Sequence, residues 1–183
     1  MIDILFAALL ATATPANCSV SDTEKKELLA QDWDTFDQKL EGFRTLVMGE
    51  RYCPREAGEL IAEYLAQHPE LDEKKRYITE FHAGQQFAGL DERPRALPHF
   101  YRGFNPYEDP ESSNRWNAYV RATIAFLERD RDTLEASLKV LEAHQDNRMN
   151  AINVKLVRSF AANFGKTYDD AVRVAFEPEK ASD

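Results

Sequence analysis

Several things are scarce in this sequence, and each shortage removes a class of protein. The 183-residue chain has only two cysteines, Cys18 and Cys53, too few for a disulfide framework or a zinc set. Cys18 lies at the edge of a possible targeting segment, so Cys53 reads as an ordinary turn cysteine between Tyr52 and Pro54. Positive charge is in deficit: 23 Lys and Arg against 32 Asp and Glu leave a net charge of −9. Non-specific nucleic-acid binding needs a positive footprint, and anionic lipid also attracts cationic surfaces, so neither partner is expected. No apolar run reaches the roughly 20 residues of a membrane-spanning helix. Strand-like alternation of apolar and polar residues is absent. So are H-E-x-x-H, G-x-S-x-G, the P-loop and G-x-G-x-x-G. Asp130 to Asp132 lacks the glycine and distal glutamate of a calcium loop. On this reading the chain carries no catalytic residue, metal site or cofactor.

What is present begins with an unusual N-terminus. Ile2 to Ala13 is almost wholly apolar apart from Asp3 and Thr12. Its length fits the apolar core of a secretory signal peptide. Small residues at Ala11-Thr12-Ala13 or Thr14-Pro15-Ala16 offer a cleavage site, although the start carries Asp3 and no Lys or Arg. Residues 1–20 are therefore read as an export signal and the protein as periplasmic or secreted. The other reading is a cytoplasmic chain whose N-terminal segment is buried or frayed. Pro15-Ala16-Asn17 before Cys18 is no lipobox, and the formal sequon Asn17-Cys18-Ser19 sits too close to the cleavage region to carry weight.

The rest of the chain reads as helices. Ser21-Asp22-Thr23-Glu24 is a capping box, in which the serine oxygen and the glutamate satisfy the first free N–H groups of a helix. Leu29, Trp33, Phe36, Leu40, Phe43 and Val47 follow at steps of three and four, which predicts one long helical face or two shorter ones. Further helices are predicted over 55–68, 73–88, 96–104, 116–127, 133–144, 151–164 and 168–176. Ile152, Leu156, Phe160 and Phe164 form the stripe of the penultimate one, and Gly165 is placed to stop it. Pro98 falls awkwardly inside a helix, because it removes a donor and crowds the carbonyl four residues back. Asn105 to Asn114 is the clearest loop, and residues 177–183 read as a disordered tail.

A periodicity runs through these helices. The small residues that open alternate helices, Ala57, Ala96 and Ala136, lie 39 and 40 residues apart. In the middle unit Gly84, Phe87, Ala96, Phe100 and Gly103 alternate small and large side chains across a helix pair, letting the helices approach while a ring fills the gap. This pattern resembles a divergent, bacterial-type tetratricopeptide (TPR) repeat from about Phe36 to His144, with a period longer than the family's ~34 residues. The resemblance implies an all-α fold of antiparallel helix pairs stacked as a short right-handed solenoid over 21–176. It also implies a concave face lined by the first helix of each pair, and a protein or peptide as the usual ligand.

On that stack Ile78, Phe81 and Gln85 of one first helix, with Asn117, Tyr119 and Arg121 of the next, are the partner-binding candidates, and Arg76 and Arg115 stand near the helix starts. Amides would clamp a peptide backbone, aromatic rings would take an apolar side chain and arginine a carboxylate. Each has a plainer reading, with Phe81 and Tyr119 in the core and Gln85 and Arg121 in solvent. His82 is a further candidate, but Glu80 two residues before it points round the helix and makes no acid–base pair with it. His68, His99 and His144 read as helix-end or packing residues. The leading expectation is a non-catalytic binding or adaptor protein of the cell envelope. One variant is an immunity-type inhibitor of a toxic enzyme. A competing class is a small enzyme or small-molecule binder using His82, Gln85 and Arg121.

Overall fold

The computed structural model describes residues 18–48 and 51–176. The expected tail at 177–183 and the leader up to residue 17 lie outside them. Among the described residues the chain is all-helical, and no helix is long and apolar enough to cross a membrane.

The helices are α1 (Asp22–Leu29), α2 (Pro54–Gln67), α3 (Glu73–Gly89), α4 (Arg93–Arg102), α5 (Trp116–Glu128), α6 (Arg131–Glu142), α7 (Arg148–Ala162) and α8 (Tyr168–Phe176). Local chemistry starts most of them. Ser21, Asp72, Asp130 and Asn147 each accept a backbone N–H from the first turn of α1, α3, α6 and α7. Pro54 and Pro94 occupy first-turn positions of α2 and α4, where the missing N–H costs nothing. Pro98 is accommodated inside α4, which begins at Arg93. α7 starts three residues earlier than its apolar stripe suggests because Asn147 caps it.

Two helix ends repeat one turn. Asp91 after α3 and Arg129 after α5 both take left-handed φ, 56° and 65°. In each case the next N–H returns five residues, Glu92 to the Phe87 carbonyl at 3.0 Å and Asp130 to Ala125 at 2.9 Å. This is a Schellman closure made without glycine. Gly165, at φ 100°, turns the chain after α7.

Consecutive helices pack on each other, and small residues set the distance. A Cβ on Gly84 would stand 2.9 Å from the Phe100 ring, and one on Gly58 would stand 2.8 Å from Phe87. Ala57 and Ala96 are fully buried, as the alternate-helix pattern requires. Ala136 is not: it is exposed, and the small residue facing inward on α6 is Ser137. The C-terminal helix also returns to the middle of the fold, where Tyr168 meets Gln85 of α3 and the Phe100 ring of α4. An open linear stack, in which each unit touches only its neighbours, does not require that contact.

Two clusters fill the interior. One runs from Phe81 to Ala175. The other joins Cys18, α1, Phe36, Phe43, Leu46 and the inner face of α2. α3 is their shared wall, giving Ala83 to the N-terminal cluster and Phe81 and Phe87 to the other.

The N-terminal cluster corrects the sequence reading in three places. The stretch 30–48 is not a continuous helical face: it holds a π-turn at Asp34–Gln38 and a 3₁₀ turn at Phe43–Leu46. Leu40, expected inward, is 63% exposed, while Leu46 is buried. Gly42 explains the break, since a Cβ there would lie 2.0 Å from the Phe36 carbonyl oxygen. Cys18 belongs to this folded body and is bonded to Cys53, so Cys53 is no lone turn cysteine and the folded chain begins before residue 21. In the other cluster, Ile152 faces solvent and Val154 and Val157 replace it on the inner face of α7.

Candidate functional site

The predicted partner-binding residues do not share an open groove. Phe81 is 1% exposed and its ring packs 5.0 Å from Phe100 and from Trp116. Tyr119 is buried beside it, 4.9 Å away. Gln85 turns inward, donating from Nε2 to the Tyr168 hydroxyl at 3.5 Å and hydrogen-bonding Tyr119. Burial pushes both phenols well above the ordinary tyrosine range. Asn117 staples the loop before α5: its Oδ1 accepts from Asn105 N, and its Nδ2 donates to the Asn105 carbonyl, both at 2.8 Å. Arg121 is exposed, its guanidinium 5.9 Å from the Phe104 ring.

His82 meets a carboxylate that no sequence pattern singles out. Its Nδ1 lies 2.9 Å from Oδ1 of Asp37, which is completely buried in the π-turn. Arg44 stands near the pair. Burial, opposed by Asp37, holds its guanidinium below its ordinary pKa. A second pair joins α3 and α4: His99 Nδ1 is 2.6 Å from Glu80 Oε2, and Arg102 Nε donates to Glu80 Oε1 at 2.8 Å. Burial, the largest influence, raises the Glu80 pKa, but the His99 and Arg102 hydrogen bonds outweigh it and hold the carboxyl below its ordinary range. Each pair ties two segments together across the packing, and neither lines the clefts described here.

An open concavity lies elsewhere, across the starts of α3, α5 and α7. A cleft of about 480 Å³ is walled by Trp33, by Tyr77 and Ile78 of α3, by Trp116 of α5 and by Met149 of α7. Polar groups sit on its rim: Asp34, Gln38, Asp72, Lys74, Lys75 and Asn114. A second, more polar hollow of about 500 Å³ shares Trp33, Asp72 and Lys75 with it and extends past Tyr64, His68 and Glu70. Trp33 thus borders both hollows.

Both indoles are held in place. Trp33 Nε1 donates to Thr79 Oγ1 at 2.8 Å, and Thr79 in turn donates to the Lys75 carbonyl at 2.8 Å. Trp116 Nε1 donates to the Gly103 carbonyl at 2.7 Å, and its ring lies 5.5 Å from Tyr77. Lys75 Nζ rests 5.4 Å from the Trp33 ring, a cation–π distance. With their N–H groups already satisfied, the rings present apolar faces of fixed orientation. Such a surface takes a bulky side chain at small entropic cost. Met149, half exposed at the cleft edge, is the adaptable part of the wall.

At the far hollow His68 Nε2 is 3.1 Å from the Leu29 carbonyl and Nδ1 is 2.8 Å from Glu70. Burial pulls His68 down, but Glu70 and the Leu29 carbonyl carry its pKa above the ordinary histidine value. Tyr64 is pushed up to about 12, first by burial and then by Asp32, Glu70 and Asp37. Of the residues placed on the groove by sequence, Ile78 is the one found in the cleft. Trp33 reads as core because its spacing is helical, and Tyr77 and Trp116 fall within the helices predicted over 73–88 and 116–127. The signal that sets them apart is position: Tyr77 and Trp116 fall in the opening turns of α3 and α5, where a ring reaches past the helix pair.

Comparison with family models, with curated proteins and with solved structures gave no match in any of the three.

Proposed function

We propose that this chain is a non-catalytic binding or adaptor protein that engages a peptide or protein partner in the cleft between Trp33 and Met149. The carrying observation is the cleft itself: fixed aromatic faces and one methionine, rimmed by amides and by charges of both signs. A peptide offers matching chemistry, with an apolar side chain for the rings and a backbone for Gln38 and Asn114.

The architecture fits a short, TPR-like stack of α3–α4, α5–α6 and α7–α8. The repeated closure at Asp91 and Arg129 and the contact of Gly84 with the Phe100 ring support that reading. The cleft draws on α3, α5 and α7, the first helix of each such pair. A cell-envelope location is part of the proposal, because a buried disulfide persists in oxidising compartments and is rare in a reducing cytosol.

The test compares the native chain with the double variant Ile78→Glu/Met149→Glu in affinity capture from envelope extract. Both side chains are at least partly exposed, and circular dichroism checks that the variant folds. The expected result is a partner retained by the native chain and lost by the variant. Equal capture by both would contradict the cleft as the binding site.

A further inference from the structure

We propose that reduction of the Cys18–Cys53 disulfide opens a site for one borderline divalent cation of the zinc type, held by both cysteine sulfurs and by Glu56. The inference is independent of the peptide-binding reading.

The geometry is already assembled. The two Sγ atoms and a Glu56 carboxylate oxygen lie within 4.8 Å of one another. Zinc bonds of about 2.3 Å to sulfur and 2.0–2.2 Å to oxygen place ligand atoms roughly 3.5–4 Å apart in a tetrahedron. The carboxylate therefore needs a small approach, and the sulfurs need to separate from bonded distance. Local structure favours this set. Cys53 is the N-cap residue of α2 and Glu56 lies three positions on, so both sit on the first helical turn. A helix N-terminus favours the thiolate over the thiol. Cys18 is delivered from the segment before α1. Both cysteines are buried, at 2% and 1% exposure.

Glu56 is the second observation. Its neighbours on α2 are engaged, Arg55 with Glu92 and Glu59 with Arg95. Glu56 has no ion pair among the described residues. It borders a small cleft of about 190 Å³ with Val20, Lys25, Glu59 and Leu60. The cleft reaches Glu56 from solvent, and neither cysteine lines it.

The chemistry balances with a dithiol reductant. The reductant gives two electrons and two protons, the Cys18–Cys53 bond breaks to two thiols, and the reductant closes to its own disulfide. The cation then displaces the two thiol protons to solvent and binds two thiolates and the carboxylate of Glu56. The covalent link between the N-terminal segment and α2 is exchanged for a metal link, so the region stays crosslinked through a change of redox state.

The experiment uses the full chain reduced by a phosphine that is removed under anaerobic conditions before the titration, and cadmium(II) as the spectroscopic probe. A thiolate-to-metal charge-transfer band is expected to saturate at one equivalent, and cadmium should raise the melting temperature of the reduced chain. The oxidised chain should give no band. Glu56→Gln should weaken binding at least about tenfold, the lower range for removing even an outer-shell partner, and leave the melting temperature of the oxidised chain unchanged. Three outcomes would overturn the proposal: no saturation at one equivalent, equal cadmium affinity in Glu56→Gln, or a reduced chain that unfolds and does not regain helix when cadmium is added.

Discussion

The two sides of α3 solve the same packing problem differently. On the C-terminal side, α4 to α8 are regular helices, α6 and α7 with side-chain caps and α5 with the repeated closing turn, around a core of packed rings such as Phe126 on Phe160 at 4.6 Å. On the N-terminal side, α1 and α2 are joined through a π-turn and a 3₁₀ turn that bury Asp37, and a disulfide closes the region. The contrast separates two ways of fixing a chain. Where helix periodicity and turn chemistry agree, neighbouring contacts suffice. Where the backbone must cross itself at Gly42, a covalent link and a buried His82–Asp37 pair hold the path. Trp33, on the irregular side, completes a cleft whose other walls come from α3, α5 and α7, so the site depends on both solutions.

The sharpest way to break the comparison is to remove the crosslink. With a sequence separation of 35, the chain-entropy model assigns the disulfide about 4 kcal/mol. Cys18→Ser/Cys53→Ser, without added metal, should lose that much in denaturant unfolding. Hydrogen exchange should show the loss in α1 and the start of α2, with α5 to α7 still protected. Next in size is Gly84→Ala, which should cost about 1–3 kcal/mol by overpacking against Phe100. Gly58→Ala, against Phe87, should behave alike, because both glycines set helix spacing around α3.

Acid should act through the Glu80 pair. The folded-state pKa of Glu80 is depressed below the ordinary 4.5, so the folded protein binds fewer protons there than the unfolded chain. Its stabilising contribution is full above pH 4.5 and is lost as pH falls through the folded value. Glu80→Gln should flatten that part of a stability-versus-pH curve. His68 works in the opposite sense. Its pKa is raised above 6.5, so its contribution is present below 6.5 and fades as pH rises through the folded value. The smallest expected effect is at the repeated turn. Asp91→Gly should stabilise by up to about 1 kcal/mol by relieving left-handed strain. Arg129→Gly should gain less, because the donation of Arg129 to the Lys166 carbonyl at 2.9 Å is shorter than the 3.3 Å contact of Arg93 with Asp91. Melting temperatures of the two variants would show the difference.

The legible and illegible parts of the sequence divide along the same line. α8 begins at the expected residue, and α2, α3 and α5 are bounded within one residue, because their apolar stripes mark the same segments. The loop at 105–114 was equally clear. The stretch 30–48 was not. Spacing tells which side chains are apolar, but not that the chain reverses at Gly42 and leaves Leu40 in solvent. A lone Asp37 carries no local sign of burial, and two cysteines 35 apart carry no sign of pairing when one sits beside a leader. The candidate site was missed for a related reason: helical spacing cannot separate a ring that fills the core, such as Phe81, from one that walls a cleft, such as Trp116.

That distinction can be measured directly, because both tryptophans of the chain line the cleft and Trp116 is not shared with the neighbouring hollow. Peptides selected by display on the immobilised folded chain would be titrated against the native protein and against Ile78→Glu/Met149→Glu. The account predicts that selected peptides shift the tryptophan emission of the native chain and bind the variant at least about tenfold more weakly, a loss of about 1.4 kcal/mol. Peptides that bind both chains equally and leave the emission unchanged would contradict it.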